Sequence, residues 1–489
     1  MVGWCAEEAL RRICGFLIER SIEGYLVGGC VRDRLLGRQS RDIDFVVQAD
    51  AAALAREMAD WLGGSFVLLN DVHGTGRIVL RDASGERVFL DFTWLRGGDL
   101  VADLGLRDFT INAIAVDIAH LFQEELPLID PYDGQRDLAE RRVRAISEAV
   151  FQDDPLRLMR AIRLAGELGF TVDPFTDVLM RRDHLLIEEV SRERVRDELV
   201  RILVLPHAAD GLAELDSAGL LPTIIPELRT LKRMEQPPPH HLDIFAHSLE
   251  TVRELEGVIE ALGSGRNRAL EPLAPFAPRL LSHLRRSLAG GRPRFVLLKL
   301  AALLHDVGKP AARQVDSRGR VRFLDHEKGG AKQAAAILRR LRFGSREVGV
   351  VEAVVRHHMR PLSLARRERV TSRAIYRFFR DAGEAGVDIL LLALADCRAT
   401  HGPDLPDEEW ERLVDLVRLM LTKYYEEREE VIAPPKLIDG DDLMAAFGLE
   451  PGPRIGELLE AVREAQVQGE VRTREEALAY VKELLTQEG

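Results

Sequence analysis

The sequence predicts an α+β protein: a small head built on a mixed sheet, followed by an extended all-helical body. Three observations lead there. Strand-like apolar runs crowd into the first 150 residues. Beyond them Leu, Ile and Val recur at helical spacing. Two proline-rich breaks, Gln236-Pro-Pro-Pro239 and Ala433-Pro-Pro435, interrupt the helical part.

In chain order, residues 24–27, 43–47, 65–69, 76–80, 87–93 and 111–117 read as short strands bounded by Gly, Asp and Asn. Helices fall between them, for example Ala51–Leu62. The expected domains are a head at 1–150, a helical neck at 151–236, a second helical block at 237–432 and a helical tail at 433–489. Residues 262–294, rich in Gly, Pro and Arg, read as a loop insertion. At roughly 100–200 residues per domain, 489 residues suit a chain of several domains.

Composition narrows the class. Hydrophobic residues make up 46% and charged residues 30%, as in ordinary soluble domains, and aromatics only 6%, which favours helix. Cys5, Cys14, Cys30 and Cys397 form no Cys-x-x-Cys pair, so neither a zinc ribbon nor a disulfide framework is indicated, and a reducing cytoplasm fits. No signal peptide or membrane-length apolar run is expected. The net charge of −12 argues against general nucleic-acid binding, but RNA recognition depends on the local field. Arg157, Arg160 and Arg163, spaced by three on one predicted helix, are either such a local field or a solvated face.

The chemistry begins at Tyr25-Leu-Val-Gly-Gly-Cys-Val-Arg-Asp, a strand running into Gly28-Gly29 and then a helix. Two glycines let backbone approach a phosphate, and a helix start offers free N–H groups. Arg41-Asp-Ile-Asp-Phe-Val-Val47 follows. Alternate strand residues share a face, so Asp42 and Asp44 point the same way. Adjacent carboxylates repel unless a cation or proton lies between them. Magnesium, with its preference for carboxylate and phosphate oxygens, suits the pair. Asp91, on a strand whose other face carries Val88, Leu90 and Phe92, is the candidate third carboxylate.

The run GGCVRDRLLGRQSRDIDFVV resembles the signature of the bacterial tRNA nucleotidyltransferase and poly(A) polymerase family, within the polymerase β-like superfamily. The resemblance extends over about residues 20–235. It implies magnesium on Asp42 and Asp44, a triphosphate cradled by Gly28 and Gly29 with Arg32 nearby, and transfer of C or A nucleotides from CTP or ATP to the 3′ end of tRNA. Arg107-Asp-Phe-Thr-Ile-Asn-Ala113 resembles the ribose-recognition motif. That would set Asp108 and Asn112 on the sugar and Arg107 on the phosphates. Asp153-Asp-Pro-Leu-Arg-Leu-Met-Arg160 resembles the family's EDxxRxxR motif, with Asp in place of Glu at 153. There Asp154 and Arg157, three apart on one helix face, would read the base edge, with Arg160 beside them. Ser191-Arg-Glu-Arg-Val-Arg-Asp-Glu198 resembles the last family motif, mainly a helix stabiliser. Only Trp94–Leu106 separates the Asp91 strand from Arg107, where enzymes building all of CCA carry a longer lever. The short segment points toward a CC-adding member or another that does not switch nucleotide. Poly(A) polymerase is the rival within the class.

The second helical block holds another constellation: His247, His305-Asp306 inside an apolar helix, Asp325-His-Glu327, His357-His358 and Asp396. Ionisable groups in an apolar helix are costly unless paired or metal-bound. The order His…His-Asp…Asp resembles the HD phosphohydrolase superfamily. By that resemblance His247, His305, Asp306 and Asp396 are core ligands. His326 and one of His357 and His358, with His357 preferred, complete a second position. Magnesium, manganese, nickel and iron all suit such donors. An HD hydrolase whose N-terminal part only binds RNA is the reading of another class.

Overall fold

Alternating burial along the first part of the chain folds into seven strands: β1 (Gly24–Val27), β2 (Asp42–Val47), β3 (Ser65–Asn70), β4 (Thr75–Arg81), β5 (Arg87–Trp94), β6 (Ala115–Asp117) and β7 (Leu128–Ile129). They form one sheet in the order β3-β4-β5-β2-β1-β6-β7. β2 and β5 run parallel and the other neighbours antiparallel, so the sheet is mixed as expected. The computed structural model describes residue 4 and residues 6–70, 74–82, 84–288 and 290–488.

Ile43, Phe45, Val88, Leu90 and Phe92 turn to the buried face, and the Phe45 and Phe92 rings stack at 4.6 Å. The helix Ala51–Leu62 covers the sheet with Leu54, Ala55, Met58 and Ala59, and the Asp50 carboxylate accepts from the Ala53 N–H at its start. One expected strand is shortened. In 111–117 only Ala115–Asp117 is extended, because Thr110–Asn112 forms a 3-10 turn whose Asn112 side chain bonds Asp108 and Arg32.

The chain divides into two compact units, Met1–Glu198 with Glu214–Ile224, and Leu199–Ala213 with Ile225–Gly489. The second is helical apart from a small hairpin, Arg313–Val315 with Val321–Phe323. Its centre is the almost wholly buried helix Gly386–His401, packed on Ile244–Ser264 and Arg294–Leu304. The expected loop insertion at 262–294 is instead largely helical, with a 3-10 segment Arg268–Phe276 and a helix Ala277–Arg285. Leu270, Leu273 and Phe276 are buried at a spacing of three, the 3-10 period, which tolerates Pro272 and Pro275. The tail carries its own small core around Leu443, Leu458, Val462, Ala477 and Val481. Among the described residues no helix is long and apolar enough to cross a membrane.

Candidate active site and candidate metal centre

In the head, sheet register builds the site. Val27 lies opposite Asp44, Asp44 opposite Asp91, and Asp91 opposite Arg77, so one row crosses four strands. Asp42 and Asp44 share the face opposite buried Ile43 and Phe45, as alternation requires. Burial pushes the Asp44 carboxyl up to about 6; Arg107 pulls the other way, while Asp91 and Asp42 add to the rise. A carboxylate so placed is short of positive charge, and a hard divalent cation fits it. Asp91 is gripped by the Arg77 guanidinium through two bonds of 2.7 Å. Arg77 thus holds the third carboxylate.

Gly28 adopts φ +80°, favourable only to glycine, as the chain passes from β1 into the helix Gly29–Leu35. A Cβ there would stand 2.8 Å from an Arg107 guanidinium nitrogen and 3.4 Å from Asp44 Oδ2. Gly28, the half-buried Arg107 and the Asp44 carboxylate therefore face one small space. Gly28→Ala is expected to lower kcat/KM for the nucleotide about tenfold or more, roughly 1.4 kcal/mol for each factor of ten, measured by steady-state incorporation.

Asp108 and Asn112 sit in a buried network. Asp108 Oδ1 accepts from the Phe109 N–H (2.9 Å) and the Asn112 amide (3.0 Å), Oδ2 from Arg160 (3.0 and 2.5 Å), and Arg32 donates to Asn112 Oδ1 (2.9 Å). Burial opposes ionisation of Asp108, but Arg160, Asn112 and Arg157 outweigh it and hold the carboxyl below its ordinary range. The arginine stripe is not a solvated face: Arg160 binds Asp108, and Arg163 binds Glu198 and Glu167.

Asp154 and Arg157 do not share a helix face. Asp154 is extended (φ −149°, ψ 101°) between the short helix Val150–Asp153 and the helix Arg157–Leu168. Pro155 is the cause, since the residue before proline is driven out of the helical region. Asp154 pairs with Arg194 at 2.9 Å instead, and Arg157 donates to the Leu106 carbonyl at 2.8 Å. Arg194, in the motif read as a helix stabiliser, was missed, and the Asp-Pro step was the signal available.

In the body six side chains converge, each at most 6% exposed: His247 and Asp396 from two helices, His326 from the start of a third, and His305, Asp306 and His358 from the turns at helix ends. The His-Asp pair expected inside an apolar helix thus stands just past its last residue, Leu304. His247 Nε2 lies 3.1 Å from Asp396 and 3.7 Å from Asp306; His305 Nε2 lies 3.2 Å from Asp306 and 3.7 Å from Asp396. His326 Nε2 approaches the other Asp306 oxygen at 3.2 Å. Asp306 therefore belongs to two groups of donors that could each hold a metal ion, one with His247 and His305 and one with His326 and His358. The preference for His357 is corrected. His357 is half-buried, whereas His358 Nε2 stands 3.4 Å from His326 Nε2 and 3.8 Å from Asp306. Neighbouring helical residues point about 100° apart, so only one of an adjacent pair reaches the cluster.

The donors fit a metal. Nδ1 of His305, His326 and His358 each faces a backbone carbonyl at 2.7–2.8 Å, and a carbonyl only accepts, so in the neutral rings Nε2 keeps its lone pair turned inward. His247 and His305 bring Nε2 atoms within 3.2 Å, tolerable only with a proton or cation between or beside them. Lys309, which the sequence reading did not single out, donates to Asp306 and to Gln236, both at 2.5 Å. A cavity of about 260 Å³ opens onto the group, lined also by His240, Phe323 and Arg366.

Known proteins resemble this chain over almost its whole length. The chain is 36% identical to the A-adding tRNA nucleotidyltransferase of Deinococcus radiodurans, over 94% of each chain. It is 35% identical to the CC-adding tRNA nucleotidyltransferase of Thermus thermophilus, over 94% of this chain and 93% of that one. This chain belongs to the tRNA nucleotidyltransferase family. Family profiles divide it accordingly: a poly A polymerase head domain matches residues 24–144, and a probable RNA- and SrmB-binding site of polymerase A matches 169–231. An HD domain matches 244–397, and a putative tRNA nucleotidyltransferase domain 2 matches 321–481. A CCA-adding enzyme solved with CTP shares the fold, with TM-score 0.66 and 23% identity, covering 98% of this chain and 95% of that chain. For a tRNA nucleotidyltransferase the six-residue cluster in the body is a second centre, remote in sequence from the head.

Proposed function

We propose that this chain adds cytidines to the 3′ end of tRNA without a nucleic-acid template, and that its body hydrolyses phosphoesters at the HD cluster. The observation that carries the first part is the row Asp44–Asp91 beside Asp42, facing Gly28 and Arg107. The RNA 3′-hydroxyl oxygen bonds to the α-phosphorus of the nucleotide, the bond to the bridging oxygen breaks so that pyrophosphate leaves with the electron pair, and the hydroxyl proton passes to solvent. Asp42 and Asp44, with Asp91 as third carboxylate, would hold magnesium, which supplies Lewis-acid stabilisation of the phosphoryl oxygens. Gly28, Gly29 and Arg107 take the phosphates. The Arg160–Asp108–Asn112–Arg32 network presents the ribose-binding edge. Asp154 and Arg157 take the base, after Asp154 exchanges Arg194 for the ligand.

The CC-adding subtype is supported by the link from β5 to Arg107. It folds into the helix Leu100–Gly105 with Leu95, Leu100 and Leu104 buried. The buried Asp103 carboxylate ties Arg96 at 2.7 Å and approaches Arg107 at 3.5 Å. A wall fastened at both ends suits one base and resists the change needed to admit another. Incubation with tRNA lacking CCA, with CTP and ATP supplied separately and together, tests this by sequencing of the ends. Two cytidines and no adenosine are expected. Complete CCA, or A addition to tRNA ending in CC, refutes the subtype, and a long A tail would mean poly(A) polymerase.

For the body, the supporting observation is the pair of ligand groups sharing Asp306 beside a small cavity. His247, His305, Asp306 and Asp396 would hold one divalent ion and His326 and His358 would extend the site. Such an ion would supply Lewis-acid activation of water and of the phosphate ester. The substrates proposed are 2′,3′-cyclic phosphates, 2′-phosphates or phosphomonoesters.

A further inference from the structure

The hairpin Arg313–Val315 with Val321–Phe323 concentrates positive charge in a chain of net charge −12. It holds four arginines, 313, 318, 320 and 322, against one carboxylate, Asp316. Asp316 is occupied in shaping the turn. It accepts from the backbone N–H groups of Arg318 (2.9 Å) and Arg320 (3.0 Å) and from the Arg320 guanidinium (2.9 Å), with Arg322 at 3.5 Å. All four arginines are exposed, and Val315 and Leu324 are 54% and 57% exposed. None of these side chains serves a core.

The base of the hairpin is part of the metal cavity. Arg313 pairs in register with Phe323. Phe323 lines the cavity, its carbonyl faces Nδ1 of the ligand His326, and the Lys309 ammonium lies 5.7 Å above its ring. A lone phosphate requires donors converging on one point. Here the cations are spread along two strands and a turn, which matches a polyanion with regularly spaced charges. The adjoining cavity, about 260 Å³, has room for a terminal phosphoester and little beyond it.

We propose that the arginine hairpin holds the backbone of a single RNA strand whose phosphorylated end enters the metal cavity, so that the body acts on RNA ends in preference to free nucleotides. The proposal rests on the phosphohydrolase reading above and names its substrate class. The reaction opens a terminal 2′,3′-cyclic phosphate: water oxygen bonds to phosphorus, one ring P–O bond breaks, and the freed ribose oxygen takes a proton, leaving a phosphomonoester.

The test uses the full-length protein and a double variant, Arg313→Ala with Arg318→Ala. Two substrates are compared with the same divalent metal: a short single-stranded RNA ending in a 2′,3′-cyclic phosphate, and 2′,3′-cyclic CMP. KM for the RNA is expected to rise about tenfold or more with kcat nearly unchanged, while KM for cyclic CMP stays constant. The slope of log affinity for the RNA against log salt should fall by roughly 1.4, at ~0.7 per phosphate contact. Arg313→Lys with Arg318→Lys should restore the RNA KM, since a backbone phosphate needs only charge. Equal KM for the RNA in wild type and alanine variant overturns the proposal. If wild type hydrolyses neither substrate, the phosphohydrolase reading fails. RNA affinity then decides the hairpin's part: a tenfold loss in the alanine variant upholds RNA binding there, and unchanged affinity overturns it.

Discussion

Asp44→Asn is expected to abolish nucleotide addition, by on the order of 10³-fold or more, while leaving the metal-free protein at least as stable as wild type. The activity loss follows from removing a carboxylate charge that stabilises the metal and the transferring phosphoryl group, worth several kcal/mol in the transition state. The stability result follows from burial. The folded-state pKa of Asp44 is raised from 3.8 to about 6, chiefly because burial disfavours the charged form. A group whose folded pKa lies above its unfolded value contributes stability present below the unfolded pKa and lost as pH rises through the folded one. The metal-free protein therefore loses stability at this residue between about pH 4 and pH 6, by roughly 2–3 kcal/mol at ~1.4 kcal/mol per unit. Asparagine carries no charge and escapes that loss. On the proposed reading magnesium takes the ionised form, so it should raise the wild-type Tm more at pH 7.5 than at pH 5. That increment from the head should be missing in the variant. Thermal unfolding of both proteins at both pH values, with and without magnesium, checks it. A strongly destabilised metal-free variant would show that Asp44 is a structural ion-pair partner rather than a charge awaiting a cation.

Asp306→Asn is expected to have the second largest effect, confined to the body. Asp306 touches both ligand groups and Lys309, so its charge serves every position of the cluster. Hydrolysis of a cyclic phosphate should fall on the order of 10³-fold, with CTP incorporation at the head retained. The metal-free variant should also unfold more easily, by about 3 kcal/mol, because a buried ammonium and imidazole lose their partner. His305 is held up near 8; burial opposes its charge, but Asp306, with Asp396, more than restores it. Chelation of metal from wild type should abolish hydrolysis and lower Tm, and should change the variant much less. Retained hydrolysis in Asp306→Asn would remove the bridge from the chemistry. The reciprocal pair, Asp44→Asn and Asp306→Asn, separates the two proposed activities within one chain.

Much of the head could be read along the chain. The strands at 24–27, 65–69, 76–80 and 87–93, the helix Ala51–Leu62 and the shared face of Asp42 and Asp44 depend on local alternation, and the structure reproduces them. His305 and Asp306, directly after the apolar helix Arg294–Leu304, signalled a cluster, because such groups survive burial only with partners. Two readings failed although a local signal was present. Pro155 should have taken Asp154 off the helix, and the three-residue spacing of Leu270, Leu273 and Phe276 should have marked 3-10 structure within the supposed loop.

The Asp42–Asp44 pair and the His-Asp dipeptide at 305–306 were thus determined by the sequence itself, since their meaning lies in spacing and polarity. Tertiary structure alone decided who stands beside them. The parallel register of β2 and β5 set Asp91 against Asp44, and the register of β4 with β5 gave Asp91 its clamp in Arg77. The rotation of one helix end chose His358 over His357, and packing made Asp306 the bridge between two ligand groups. These are pairings between residues distant in sequence. Local propensity carries no information about register or helix rotation, which are set by the packing of whole elements against one another.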